Sequence, residues 1–107
     1  MSKKEIYTPH PGTFLKEIID ELGISQYRLA VETHLPHCRV SGIIHGKQNI
    51  TVTTAMKLAK FFNQTPGYWL NLQRHFDLYK AESELREELA SIHPFSASPP
   101  ASPLLAA

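Results

Sequence analysis

The segment Ser25 to Gly46, SQYRLAVETHLPHCRVSGIIHG, constrains this 107-residue chain more tightly than any other. Leu29 and Ala30 fall mid-way along one short helix, Leu35 follows in a turn, and Val40, Ile43 and Ile44 repeat at helical spacing beyond it. Two helices crossing at roughly a right angle must approach closely, and Ala30 is the small residue that permits it. His37, Cys38, Arg39, Ser41 and Gly42 then lie near the outer face of the second helix. That is the pattern of a helix-turn-helix, whose second helix meets base edges in a major groove.

The flanking sequence supplies helices on either side. Phe14, Leu15, Ile18, Ile19 and Leu22 form one apolar stripe, so the first helix is expected from about Gly12 or Thr13 to Leu22, with Gly23 ending it. Residues 1–11, with Pro9 and Pro11, read as an arm. Ser25 is expected to cap a second helix from Gln26 to about Thr33. His34 stands at the turn where a positive φ is expected, a conformation histidine tolerates better than most residues. Pro36 suits the first turn of the third helix, expected over about Pro36 to His45.

Thr51 is placed to cap a fourth helix, Val52 to about Phe62, with Ala55, Leu58, Ala59 and Phe62 inward. Thr65 and Pro66 open a fifth, which carries Trp69, Leu70, Leu72, Phe76 and Tyr79 on more than one face. That is more apolar surface than one side of a small domain buries, which points to a partner chain. The expected architecture is all-α. A five-helix domain over residues 12–80 is followed by a charged helical extension at 81–92 and a mobile tail at 93–107, rich in proline, serine and alanine.

Charge distribution says more than the total of +1. No Asp or Glu occurs from Thr33 to Lys60, where Arg39, Lys47, Lys57 and Lys60 are joined by His34, His37 and His45. Because salt screens charge beyond about 8–10 Å, this local density rather than the total decides phosphate attraction. A one-sided basic segment is the footprint of a small nucleic-acid-binding domain. The single cysteine, Cys38, excludes an intrachain disulfide and fits a reducing compartment. The start MSKKEIYTPHPG has no secretory apolar run, and no stretch reaches membrane-spanning length, so a cytoplasmic protein with no membrane partner is expected.

A resemblance to a known family rests on specific residues. They begin with His10-Pro11-Gly12, Leu15, Glu17, Gly23-Ile24-Ser25-Gln26 and Leu29-Ala30, and continue through Pro36, Arg39-Val40-Ser41, Ile43, Gly46-Lys47, Ile50-Thr51, Thr54-Ala55 and Leu58-Ala59. Trp69-Leu70-Asn71-Leu72-Gln73 with Asp77-Leu78 closes the set. Over residues 9–80 the chain resembles the XRE-type helix-turn-helix domains of HigA/VapI antitoxins, and the HPG start joined to the WLNLQ block is the more specific part. The resemblance implies a lambda-repressor-like five-helix homodimer that represses its own operon and neutralises a RelE-like ribonuclease toxin. Gly42 departs from the larger polar residue often found there, and Cys38 is unusual.

Candidate DNA contacts are Gln26, His37, Cys38, Arg39, Ser41, Lys47, Gln48 and Thr54. Arg39 can read guanine bidentately or clamp a phosphate, and His37 can bond a base edge. In relatives of the motif the glutamine at the place of Gln26 braces a phosphate. Lys47, Gln48 and Thr54 flank the groove wall, beside backbone N–H groups at the start of the fourth helix. Trp69, Asn71, Gln73, Phe76 and Tyr79 are the candidate dimer residues, although tryptophan is commonly a core residue. Glu82, Glu84, Glu87 and Glu88 read as a solvated face or an attraction for a basic partner.

No cofactor or metal is expected. His34, His37, Cys38 and His45, spaced H-x2-H-C-x6-H, match no common zinc finger. No glycine-rich phosphate loop, H-E-x-x-H or Ser-His-acid arrangement argues for an enzyme. Two other readings stay open. One is a regulator with no toxin partner; the other is a protein-interaction module that has lost DNA binding.

Overall fold

A computed structural model describes residues 8–95; the arm expected at 1–11 and the tail expected at 93–107 therefore lie mostly outside the described residues. Among the described residues six helices follow one another: α1 (Pro11–Leu22), α2 (Gln26–Thr33), α3 (His37–Ile44), α4 (Val52–Phe62), α5 (Pro66–Glu84) and α6 (Arg86–Ala90). Among the described residues there is no strand, and no helix is long and apolar enough to cross a membrane.

Local chemistry sets the helix ends. The first helix starts at Pro11, earlier than expected, because proline at N1 gives up no intrahelical bond and His10 caps it. His10 Nδ1 accepts from the Gly12 amide at 2.9 Å. Ser25 Oγ accepts from the Arg28 amide at 3.0 Å, and Thr51 Oγ1 from the Thr54 amide at 3.3 Å. Thr65 occupies the N-cap position of α5 without a side-chain cap bond, leaving Pro66 to pre-set that turn. Pro36 is the N-cap of α3 rather than its first residue.

Three helices end on a left-handed residue: Gly23 (φ 72°), His34 (φ 59°) and Asn63 (φ 58°). In each case the next amide returns to a carbonyl near the helix end: Ile24 to Ile19, Leu35 to Ala30 and Gln64 to Ala59. These bonds satisfy carbonyls that the helix end would otherwise orphan.

The core gathers Leu15 and Ile19 from α1, Leu29 and Ala30 from α2, and Val40 and Ile43 from α3. Ala55, Leu58 and Ala59 of α4 and Trp69 of α5 complete it, with Leu35 and Ile50 from the connections. Trp69 is wholly buried, and its Nε1–H donates to Gln64 Oε1 at 2.7 Å. Trp69 is therefore a core residue and not a dimer contact, because its polar edge is satisfied inside the subunit.

Gln73 is corrected in the same way. It is buried, its Oε1 accepts from the Ile50 amide at 2.7 Å, and its Nε2 donates to Asn49 at 3.2 Å and Asp77 at 2.9 Å. This side chain ties α5 to the loop that leads into α4.

Candidate nucleic-acid interface

Two short helices hold the site. Helix α3 rests on Val40 and Ile43, which are fully buried, and this fixes which side of the helix faces outward. His37 and Cys38 are exposed, while Arg39 and Ser41 are partly exposed. Gln26, partly exposed, stands at the first position of α2 just after the Ser25 cap. Lys57 of α4 donates from Nζ to the His34 carbonyl at 3.0 Å, so one cation of the basic segment closes the turn between α2 and α3.

Close packing behind α3 explains the glycine of the HPG start. A Cβ on Gly12 would lie 1.8 Å from the Ile43 carbonyl oxygen, so only glycine lets α1 abut the backbone of α3 there. His10 sits beside the same junction, its ring 5.0 Å edge-on from Phe76. Its Nε2 is buried and has no hydrogen-bond partner. Burial holds its pKa below the usual 6.5, a trend the Gln48 backbone, the Asn49 side chain and Asp77 only partly oppose.

The loop after α3 is bound to that helix from beneath. The amides of Lys47 and Gln48 both donate to the Gly42 carbonyl, at 2.7 and 3.1 Å. The Gln48 side chain lies over Gly42, where a Cβ would come within 2.6 Å of its Nε2. Gly42 thus makes room for Gln48, a packing role that helix propensity does not reveal. Lys47 is exposed and free to reach outward.

Two candidates are less available than the sequence suggested. Thr54 is buried, its amide is taken by the Thr51 cap, and its hydroxyl accepts from Thr51 Oγ1–H at 3.2 Å. Its expected phosphate contact is corrected on that ground; Thr51 and Thr53 are the exposed threonines at this helix start. Ser41 is held near His45, whose Nδ1 lies 2.8 Å from the Ser41 carbonyl and 3.3 Å from its hydroxyl.

One surface residue escaped sequence reasoning. Tyr27, at the second position of α2, is 68% exposed, and its ring centroid lies 6.2 Å from that of His37. The available signal was an apolar pair, Tyr27 and Val31, on the helix side opposite Leu29 and Ala30. Of the expected dimer residues, Asn71 is exposed, while Phe76 and Tyr79 are half-buried. No group of His, Cys, Asp or Glu arranged to hold a metal occurs among the described residues.

The helix-turn-helix family model matches residues 15–70, more than half of the chain. The chain belongs to the XRE-type helix-turn-helix family. Virulence-associated protein I of Dichelobacter nodosus is 33% identical over 95 residues, covering 88% of this chain and 87% of its own length. Among solved structures, an addiction module antidote of the HigA family from Coxiella burnetii is 36% identical with a TM-score of 0.81. It covers 84% of this chain and 100% of its own. Antitoxin GraA, solved in complex with its operator, is 30% identical with a TM-score of 0.80, covering 91% and 100%. For an XRE-type domain, the HPG start and the WLNLQ block now have physical roles: one seats α1 on α3, and the other supplies Trp69 and Gln73.

Proposed function

We propose that this protein is a sequence-specific DNA-binding repressor of the HigA antitoxin kind. The observation that carries the reading is the outer face of α3, where His37, Cys38 and Arg39 project from a helix anchored by Val40 and Ile43. Arg39 reads a guanine edge through two parallel N–H donors, and His37 meets a base edge at the helix start. Gln26, Lys47 and Gln48 hold the phosphate walls, with Thr51 and Thr53 beside the amides that open α4. The absence of acidic residues from Thr33 to Lys60 keeps that face free of like-charge repulsion toward the duplex. The operator complex of GraA supports the same use of the fold.

The repressor acts as a homodimer on a near-palindromic operator, with half-site centres roughly 34–36 Å apart so that both recognition helices reach one face of the duplex. Asn71, Phe76 and Tyr79 are joined in the proposed interface by Leu78, Leu85 and Leu89, which are exposed on α5, α6 and the residue between them. The operator lies in the protein's own promoter, and the partner neutralised is a RelE-like ribonuclease. Cytoplasmic residence follows from that role.

Fluorescence anisotropy on DNA from just upstream of the start codon, against a shuffled duplex, tests the proposal. Tight binding to the native fragment alone is expected. Equal weak binding to both rejects autoregulation through that site. Copurification with a small basic protein encoded alongside tests the antitoxin role.

A further inference from the structure

His37 stands at the first position of α3, where a side chain enters a groove first, yet little confines it. Pro36, at the N-cap, offers no side-chain bond. Among the described residues the His37 imidazole has no hydrogen bond or ion pair, and its one ring contact is with Tyr27. The two rings lie 6.2 Å apart at 50°, inside the range where aromatic pairs attract.

Tyr27 has no evident structural duty that would explain it. At 68% exposed it adds little to the core, and it lies on α2, far in sequence from the exposed leucines of α5 and α6. Its neighbour Arg28 pairs with Glu32 along the helix at 3.5 Å. The backbone beneath Tyr27 is well fixed: Ser25 caps the helix, and Leu29 and Ala30 anchor it in the core. A flat, two-torsion side chain on such a base makes a wall that costs little entropy to hold in place.

We propose that Tyr27 is a positioning residue for DNA readout: its ring confines the His37 imidazole to the orientation in which it meets a base edge. The proposal rests on the reading of α3 as the recognition helix. It assigns specificity to a residue of α2 that need not touch a base. The ring alone performs this task, so phenylalanine substitutes for tyrosine and alanine does not.

The test uses the full chain and the tightest duplex enriched from a random DNA pool, with a shuffled duplex as control. Tyr27→Ala is expected to weaken operator binding about 10-fold, the size of a lost aromatic pair, and to leave shuffled DNA within about twofold. Tyr27→Phe restores operator binding. In the His37→Ala background, Tyr27→Ala has no further effect, which a double-mutant cycle reads directly. Melting temperatures of all variants stay within about 2 °C of the parent, as expected for exposed side chains.

A Tyr27→Ala loss that is equal on both duplexes, that phenylalanine does not rescue, or that persists without His37 overturns the proposal. So does no loss at all. If Arg39→Ala abolishes operator preference while Tyr27→Ala changes nothing, the recognition helix stands and only the positioning role falls. If no duplex is enriched, both fall together.

Discussion

Gln73 offers the most exposing test of how the fold positions the site. Replacing it with leucine keeps the volume and apolar stem but removes the amide that reaches three partners. The Ile50 amide is the costly loss, because Ile50 is buried and its N–H would be left without an acceptor. An unsatisfied buried donor costs about 1–3 kcal/mol. Asn49 and Asp77 are exposed and can turn to water, so losing their bonds adds at most about 0.5 kcal/mol each.

The total, about 1–4 kcal/mol and centred near 2.5, corresponds at that centre to a fall of roughly 10–20 °C in melting temperature for a domain of this size. Thermal and urea unfolding should be followed by circular dichroism at several protein concentrations, since association would make the midpoint concentration-dependent. A drop of that size, the same at each concentration, fits an intrasubunit tie. An unchanged melting temperature with a weakened dimer would rule out the intrasubunit tie and return Gln73 to an interface.

Other consequences follow from the same geometry. His10 has its folded pKa lowered by burial, so the folded state binds fewer protons than the unfolded chain as pH falls through 6.5. Stability is therefore full above that pH and lost toward the lower folded pKa, even though Asp77 opposes the shift. Melting curves between pH 7.5 and 5.5 should show a steeper fall for the parent than for His10→Asn, which keeps a capping acceptor without titrating; parallel slopes would exclude His10. At the left-handed position 34, His34→Val should cost about 1–2 kcal/mol, whereas His34→Gly should be neutral or slightly stabilising in urea titrations. Equal losses in both would show that the histidine side chain matters more than φ. Gly42→Ala should be nearly neutral alone, because displacing Gln48 offsets the helix gain of about 1 kcal/mol. Combined with Gln48→Ala the gain should emerge as a rise of about 4–8 °C, and its failure to appear would place the strain elsewhere.

The sequence made the recognition unit legible because its apolar spacing, Ser25 cap and His34 turn all agree on one local geometry. Trp69 and Gln73 were harder to place. Helix periodicity puts apolar groups on several faces of α5 but does not say that a glutamine 23 residues from Ile50 will satisfy its amide. Thr54 departs from the expected phosphate contact because a threonine near a helix start resembles one until the partner of its amide, Thr51, is known. Gly12 and Gly42 carried no legible reason, since each answers to a neighbour across the fold, the Ile43 carbonyl and the Gln48 side chain. The pairing of Tyr27 with His37 likewise depends on the angle between two helices.

Arg39 offers the sharpest check on the claim that the outward face of α3 reads DNA sequence. Anisotropy titrations of parent and Arg39→Ala on operator and shuffled duplexes, at several salt concentrations, give the ratio of specific to non-specific affinity. If α3 reads sequence, this ratio collapses by about 10- to 100-fold in the variant, the discrimination of about 1–3 kcal/mol carried by a bidentate base contact. An unchanged ratio, with both affinities lowered equally and a shallower salt slope, would make Arg39 a phosphate contact and contradict the claim.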